Sequence, residues 1–330
     1  MRMRPVEIAC DESGFSGSNL LDPTTQVITH AAVDLGVADS IELVAQVRAN
    51  SERSNAEYKS TQLLKRRSAV ECLLESLEGR ASVHLTDKRF FVVSRLVDFL
   101  LGEPTYAAGT SLALDHRATA LTLHRDGPVV FGSANWYAVL TSFVEMMRTK
   151  RLRLINLPAV DKFFAALDKG EHQVVDQLRQ TRPRVEEVLT TLLDERSSVP
   201  PPLEPMLSAL LDTTLLWSAG SRTVDIIHDE QSALTPHRVD RIRTLLEETG
   251  RGTLRGFTMV DSREDPRVQV ADLLAGVARH LATRELHGGG DPALTALLQP
   301  YVARSSLWAD APSGRRLRIE PKCDEVLTNR

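Results

Sequence analysis

The sequence predicts an α/β protein whose sheet is interrupted by a large all-helical segment. Three observations carry this. Period-two strand patterns open the chain and return near residue 222. Helical patterns alone fill the region from about 91 to 221. The composition is that of a folded chain, with 330 residues, 42% hydrophobic and 25% charged, so a sizeable core can form. The expected organisation is a first core half over 1–90, a helical insertion over 91–221, a second core half over 222–285, and a tail with a short helix over 286–330.

The elements follow in order. Val6, Ile8 and Cys10 alternate with Glu7, Ala9 and Asp11, which is strand period. "QVITHAAVDL" (26–35) reads as a second strand, and the Gly/Ser/Asn/Pro-rich stretch before it reads as a hairpin loop. "SIELVAQVRAN" (40–50) is helical. "LLKRRSAVECLLESL" (63–77) is a stronger helix, with Leu63, Val70, Leu73, Leu74 and Leu77 on one stripe. "ASVHLTDK" (81–88) is a strand ending in Asp87.

The middle of the chain supplies a series of helical stretches, among them "FFVVSRLVDFLL", "SLALDHRATALTL", "WYAVLTSFVEMM" and "VEEVLTTLLDE", with a Pro-rich break at 197–205. "RTVDIIHDE" (222–230) is again strand-like. In "TPHRVDRIRTLLEETG", Thr235 is the expected N-cap, Pro236 opens the helix and Gly250 closes it. "RGFTMVDS" (255–262) is a strand, and "DPRVQVADLLAGVARHLA" (265–282) is a helix capped by Asp265.

The net charge of −4 excludes a polycation, so any nucleic-acid contact must come from a local basic patch. Cys10, Cys72 and Cys323 are odd in number and far apart. They form no metal-spaced pair or disulfide framework, which fits a reducing cytoplasm. The first residues are basic but lead into too short an apolar run for a signal peptide. No stretch approaches the ~18 apolar residues of a membrane span. A cytoplasmic location is the expectation.

Asp11, Asp87 and Asp229 each stand at the carboxyl end of an expected strand, where functional groups gather in α/β sheets. Asp is also common in the turns that follow strands. Asp272 is less ordinary, because it sits inside an apolar helix with Gln269 and Gly276 on its face. A carboxylate there needs compensation, and Arg279 is one available partner. Glu57 and Lys59 stand at a helix entrance, where Glu is favoured by the helix dipole alone.

Taken together, "ACDESG", "AEYKST", "LTDKR", "DIIHDEQ" and "MVDSREDPRVQVADLLAG" resemble the DUF3800 family, a bacterial group with a ribonuclease H-like, integrase-related fold. The likeness covers about residues 1–90 and 222–282. It implies a ribonuclease H-like mixed sheet flanked by helices, with the helical segment as an insertion. Carried onto this chain, it implies Asp11, Glu57, Asp229 and Asp272 as the acidic site, with Lys59 from a Glu-x-Lys element. Topology also accepts Asp87 as the third carboxylate, whereas the "IIHDE" motif favours Asp229. Glu12 and Glu230 are adjacent reserves. The family context implied is mobile elements or defence against phage.

The activity implied is divalent-metal-dependent phosphodiester hydrolysis of DNA or RNA. Two Mg²⁺ or Mn²⁺ ions on carboxylate oxygens suit that chemistry, and clustered carboxylates raise one another's pKa until cations arrive. Lys65, Arg66, Arg67, Lys150 and Arg151 are the basic residues expected to meet nucleic acid, with Arg315 and Arg316 further candidates. Such residues are more often ordinary solvated faces. His84 and His228 lie beside acidic strand ends, as proton-transfer groups or as packed core histidines. Two other functions stay open: a non-catalytic nucleic-acid or protein-binding module with salt-bridged carboxylates, and a hydrolase of small phosphoesters. The helical insertion is the natural surface for a protein partner.

Overall fold

The computed structural model describes residues 5–15, 19–49, 58–148, 155–193 and 199–319. In chain order the elements begin with β1 (Val6–Ser13), β2 (Val27–Val33), α1 (Val37–Arg48), α2 (Ser60–Leu63), α3 (Arg67–Ser76) and β3 (Ala81–Asp87). Seven helices follow: α4 (Lys88–Leu100), α5 (Arg117–Phe131), α6 (Ser133–Met147), α7 (Leu157–Leu167), α8 (Gln173–Gln180), α9 (Arg182–Leu192) and α10 (Pro205–Ser218). The chain then forms β4 (Thr223–Asp229), α11 (Pro236–Thr249), β5 (Thr253–Val260), α12 (Pro266–Leu286), α13 (Pro292–Leu298) and α14 (Ala311–Arg316).

The chain divides into two compact units. One comprises Met1–Ser16, Pro23–Asp87 and Ala209–Arg330, and the other Gly17–Asp22 and Lys88–Ser208. The first unit is an α/β layer structure around a five-stranded mixed sheet of order β3-β2-β1-β4-β5. β2 runs antiparallel to both β1 and β3, while β4 is parallel to β1 and to β5. The parallel pairs need crossovers. The excursion between β1 and β4 contains the whole helical unit, and α11 connects β4 to β5.

The sheet has two differently built faces. Ala9 and Asp11 share one face with Val27, Thr29, Ala31 and Val33, and α12, α1 and α3 cover it with Leu, Val and Ala side chains. Thr29 Oγ1 donates to the Ala275 carbonyl of α12 at 2.8 Å, which pins helix to strand. Gly276 permits the close approach of α2: a methyl there would collide with Ser60 Oγ and Cβ. The other face carries Ile8, Cys10, His30, His84, Ile226 and His228, all buried. The part of α10 that belongs to this unit lies on it, with Trp217 Nε1 donating to Ser82 Oγ at 2.9 Å.

The tail does more than the sequence reading expects of it. Residues 302–307 run beside β3, with bridges Val83–Val302 and Thr86–Leu307. The Ala303 and Leu307 amides donate to the Val83 and Leu85 carbonyls, so this sheet edge is covered. α14 is clasped to α12 by Arg316, whose Nε donates to Glu285 Oε2 at 2.5 Å. Glu285 is only 3% exposed.

The second unit is helical among its described residues, with Phe143, Phe163, Leu167 and Leu178 in its interior. The helix expected over 111–123 starts only at Arg117. Before it, Thr110 Oγ1 donates to the Ala107 carbonyl and accepts the Leu112 amide, and these local bonds hold a turn instead. Among the described residues no helix is long and apolar enough to cross a membrane.

Candidate functional site

The sheet register brings the carboxylates together. Cys10 pairs with His228 across the parallel β1–β4 ladder. One residue further, Asp11 and Asp229 therefore stand side by side on the α12 face. Adjacent strands lie about 4.8 Å apart. Asp272, in the second turn of α12, approaches from above because that helix packs on β1 and β2. The helix is placed by its start: Asp265 accepts the Arg267 amide at 2.9 Å and Pro266 takes the first helical position.

Electrostatics shows how closely these groups are set. Asp11 is 5% exposed, and its carboxyl is pushed up to about 9, first by burial and then by the charges of Glu12, Asp272 and Asp229. The Glu12 amide, donating to Asp11 Oδ1 at 2.7 Å, offsets part of this. Glu12 is pushed up to about 7, by burial and then by Asp229. Gln231 Nε2 donates to Glu12 Oε1 at 2.5 Å, while Oε2 is buried and has no hydrogen-bond partner among the described residues. The Ser262 amide donates to Asp229 Oδ1 at 2.9 Å, so the turn after β5 orients that carboxylate.

Other expected site residues fall in different places. Asp87 lies at the end of β3, where Val83 is level with Asp11 through Ala31, four residues short of Asp87. It is thus two strands away and roughly 13 Å further along, at about 3.3 Å per residue. The structure does not bring it to the cluster. Lys59 is exposed at the N-cap of α2, and its charge, after the larger effects of Arg263, helps hold Asp261 down at about 2. Glu57 lies outside the described residues, as do Lys150 and Arg151.

Of the remaining basic candidates, Lys65 is exposed. Arg66 Nη1 donates to the Val47 carbonyl at 3.3 Å. Arg67 pairs with Glu71 at 2.8 Å and also with Asp291. Arg66 and Arg67 are therefore engaged within the chain, and Arg316 is engaged by Glu285.

The histidines are packed rather than aimed at the carboxylates. His30 Nε2 meets His228 Nε2 at 3.1 Å, and Thr213 Oγ1 is 3.0 Å from His30 Nδ1. His228 Nδ1 lies 2.8 Å from the Asp229 carbonyl, which can only accept, so that nitrogen carries the proton. Its Nε2 then accepts from His30 Nε2–H, and Thr213 donates to His30 Nδ1. Both rings are neutral in this chain of bonds. Burial is the leading cause that holds His30 far below its usual range and brings His228 to about 4. His84 lies 3.5 Å from Asp212 on the same face. His30 is absent from the sequence-derived candidates because a lone His in "VITHAAV" carries no signal; only the β1–β2 and β1–β4 registers place it against His228.

The donor set of the cluster is wholly carboxylate, which suits a hard cation, and the unpartnered Glu12 Oε2 is the kind of buried acceptor that a cation satisfies. Among the described residues, no three His, Cys, Asp or Glu side chains are arranged to share a single ion. Glu57, the fourth acidic residue expected here, is outside that set. The arrangement defines an α/β protein with carboxylates gathered around the buried Asp11, among them the half-buried Glu12, Asp229 and Asp272, at the carboxyl ends of two parallel central strands. No family model, no curated protein and no solved structure matches the chain.

Proposed function

We propose that the chain is a divalent-metal-dependent nuclease of ribonuclease H-like type, with Asp11, Asp229 and Asp272 as the acidic core of the site and Glu12 as a further acidic member. The observation that carries this reading is the convergence of carboxylates from β1, β4 and α12 on the buried Asp11. These are the first-strand, later-strand and last-helix positions implied by the resemblance to the DUF3800 family. A buried group of like charges is neutralised either by protons or by cations.

Mg²⁺ or Mn²⁺ bound by these residues would activate the attacking water and stabilise the leaving oxygen. The chain's own contribution is positioning. Gln231 and the Ser262 amide orient Glu12 and Asp229, and the packing of α12 on β1 holds Asp272 over Asp11. In the metal-free chain burial, and after it the neighbouring charges, favour the protonated forms of Asp11 and Glu12. Lys59, exposed at the start of α2, supplies a cation for the substrate phosphate.

The test is cleavage of single- and double-stranded DNA and RNA with Mg²⁺ or Mn²⁺. We expect activity on at least one substrate, lowered at least 100-fold in D11A and D272N. A chain that is inert on all four substrates with either metal refutes the reading and leaves a binding module on the same scaffold.

A further inference from the structure

Arg279 stands apart from the other arginines near the sheet. It lies seven residues after Asp272 on α12, so both occupy one face of the helix about 10.5 Å apart along its axis. Its stem runs across the turn by which the chain leaves β1. Gly14 there has φ +92°, and a methyl on it would lie 2.7 Å from Arg279 Cδ and would strike the Val27 carbonyl. Only glycine accepts both that conformation and that neighbour.

The Arg279 side chain is half-buried, and its Nε is buried without a hydrogen-bond partner among the described residues. No described carboxylate forms an ion pair with it, whereas Arg255, Arg263, Arg267 and Arg316 in the same unit are all paired with Asp or Glu. The partnership with Asp272 open to the sequence reading is thus not formed. Burial, then the charges of Arg284 and of Arg279, hold His280 below its usual range. One helix therefore presents a carboxylate at the acidic cluster and, two turns on, a guanidinium held in place with its donors unspent.

We propose that Arg279 binds a backbone phosphate of a polynucleotide a few nucleotides from the one at the acidic cluster, making the substrate a polymer rather than a mononucleotide or small phosphoester. The inference rests on the reading of that cluster as a phosphodiester site. Along a duplex each strand carries one phosphate per about 3.4 Å of axis, so a separation near 10 Å spans roughly three nucleotides. A mononucleotide cannot reach both groups. A guanidinium suits the role because its planar donors match phosphate oxygens.

The experiment is a fluorescence-anisotropy titration of 20-nucleotide single- and double-stranded DNA and RNA with the full chain in Ca²⁺, comparing wild type, R279M, R279Q and R279K. R279M keeps the stem that packs on Gly14, and R279Q serves if R279M fails to fold by circular dichroism. We expect the neutral variants to bind the preferred polymer roughly 5- to 10-fold more weakly, R279K to recover most of the loss, and the salt slope to fall by about 0.7–0.9. Binding of a nucleoside monophosphate should stay within twofold. The inference is overturned if wild type binds no polymer, if the neutral variants bind it as wild type does, or if monophosphate binding falls in parallel. If wild type binds through Arg279 but cleaves nothing with Mg²⁺ or Mn²⁺, the hydrolytic reading fails and the phosphate contact stands.

Discussion

Replacing Asp11 by Asn should stabilise the metal-free protein, and the structure sets the size of the effect. Asp11 titrates near 9 when folded, against an ordinary value of 3.8. Between those values the folded chain holds a proton that the unfolded chain releases. Stability therefore falls as pH rises from 3.8 towards 9, and levels off above that. At about 1.4 kcal/mol per pH step, the loss reaches roughly 4 kcal/mol at pH 7. D11N abolishes the titration but still buries an amide, so we expect a net gain of about 2 kcal/mol. For a unit of this size that is about 4–8 °C in Tm. The assay is thermal unfolding in EDTA at pH 4, 6 and 8. D11N should be about 2 kcal/mol less stable than wild type at pH 4, where the titration contributes almost nothing and only the amide burial remains, and its advantage should be largest at pH 8. A D11N chain less stable than wild type at pH 8, or a difference independent of pH, would refute the electrostatic account of the cluster.

Four further perturbations probe the scaffold. G276A places a methyl on Ser60; overpacking of about 1–3 kcal/mol outweighs the ~1 kcal/mol that Ala gains in a helix, so the urea midpoint should fall. H30A removes a 1%-exposed ring and strands His228 Nε2 and Thr213, for a loss of about 2–4 kcal/mol in chemical denaturation. Because His228 titrates near 4 when folded, the unfolded chain takes up its proton first, and this residue alone lowers stability by about 3 kcal/mol as pH drops from 6.5 to 4. A urea-midpoint series on D11N, which lacks the opposing Asp11 titration, should show that fall directly. R316A leaves the carboxylate of Glu285 buried without its cation, which should lower stability on the order of 2 kcal/mol and expose the segment after residue 299 to limited proteolysis.

The strands were legible because alternation and buried apolar runs survive in short windows. Val6–Cys10 and Val224–His228 both show this, and the capped starts of α11 and α12 are equally plain. The partners of a strand are not local information. Nothing in "DESG" says that Asp11 will lie beside Asp229, or that Asp87 will lie two strands away; the β1–β4 pairing decides both. Glu12 shows the same limit. It reads only as a reserve beside Asp11, yet Gln231, in the loop after β4, donates to it and Asp229 raises its pKa. The tail was legible as a helix at Pro292, but its course along β3 rests on backbone hydrogen bonds that no side-chain pattern advertises. Arg279 could be placed on the Asp272 face from spacing alone, whereas its freedom from that carboxylate required the contact with Gly14.

The central claim is that the acidic cluster around Asp11 binds divalent cations. Isothermal titration of Mn²⁺ into the metal-free chain at pH 7.5 tests it most directly, with proton release measured by repeating the titration in buffers of different ionisation enthalpy. The account predicts saturable binding that releases about one proton, since Asp11 must ionise, and loss of that binding in D11N and in D272N. Absence of saturable binding, or binding that persists unchanged in both variants, would contradict it.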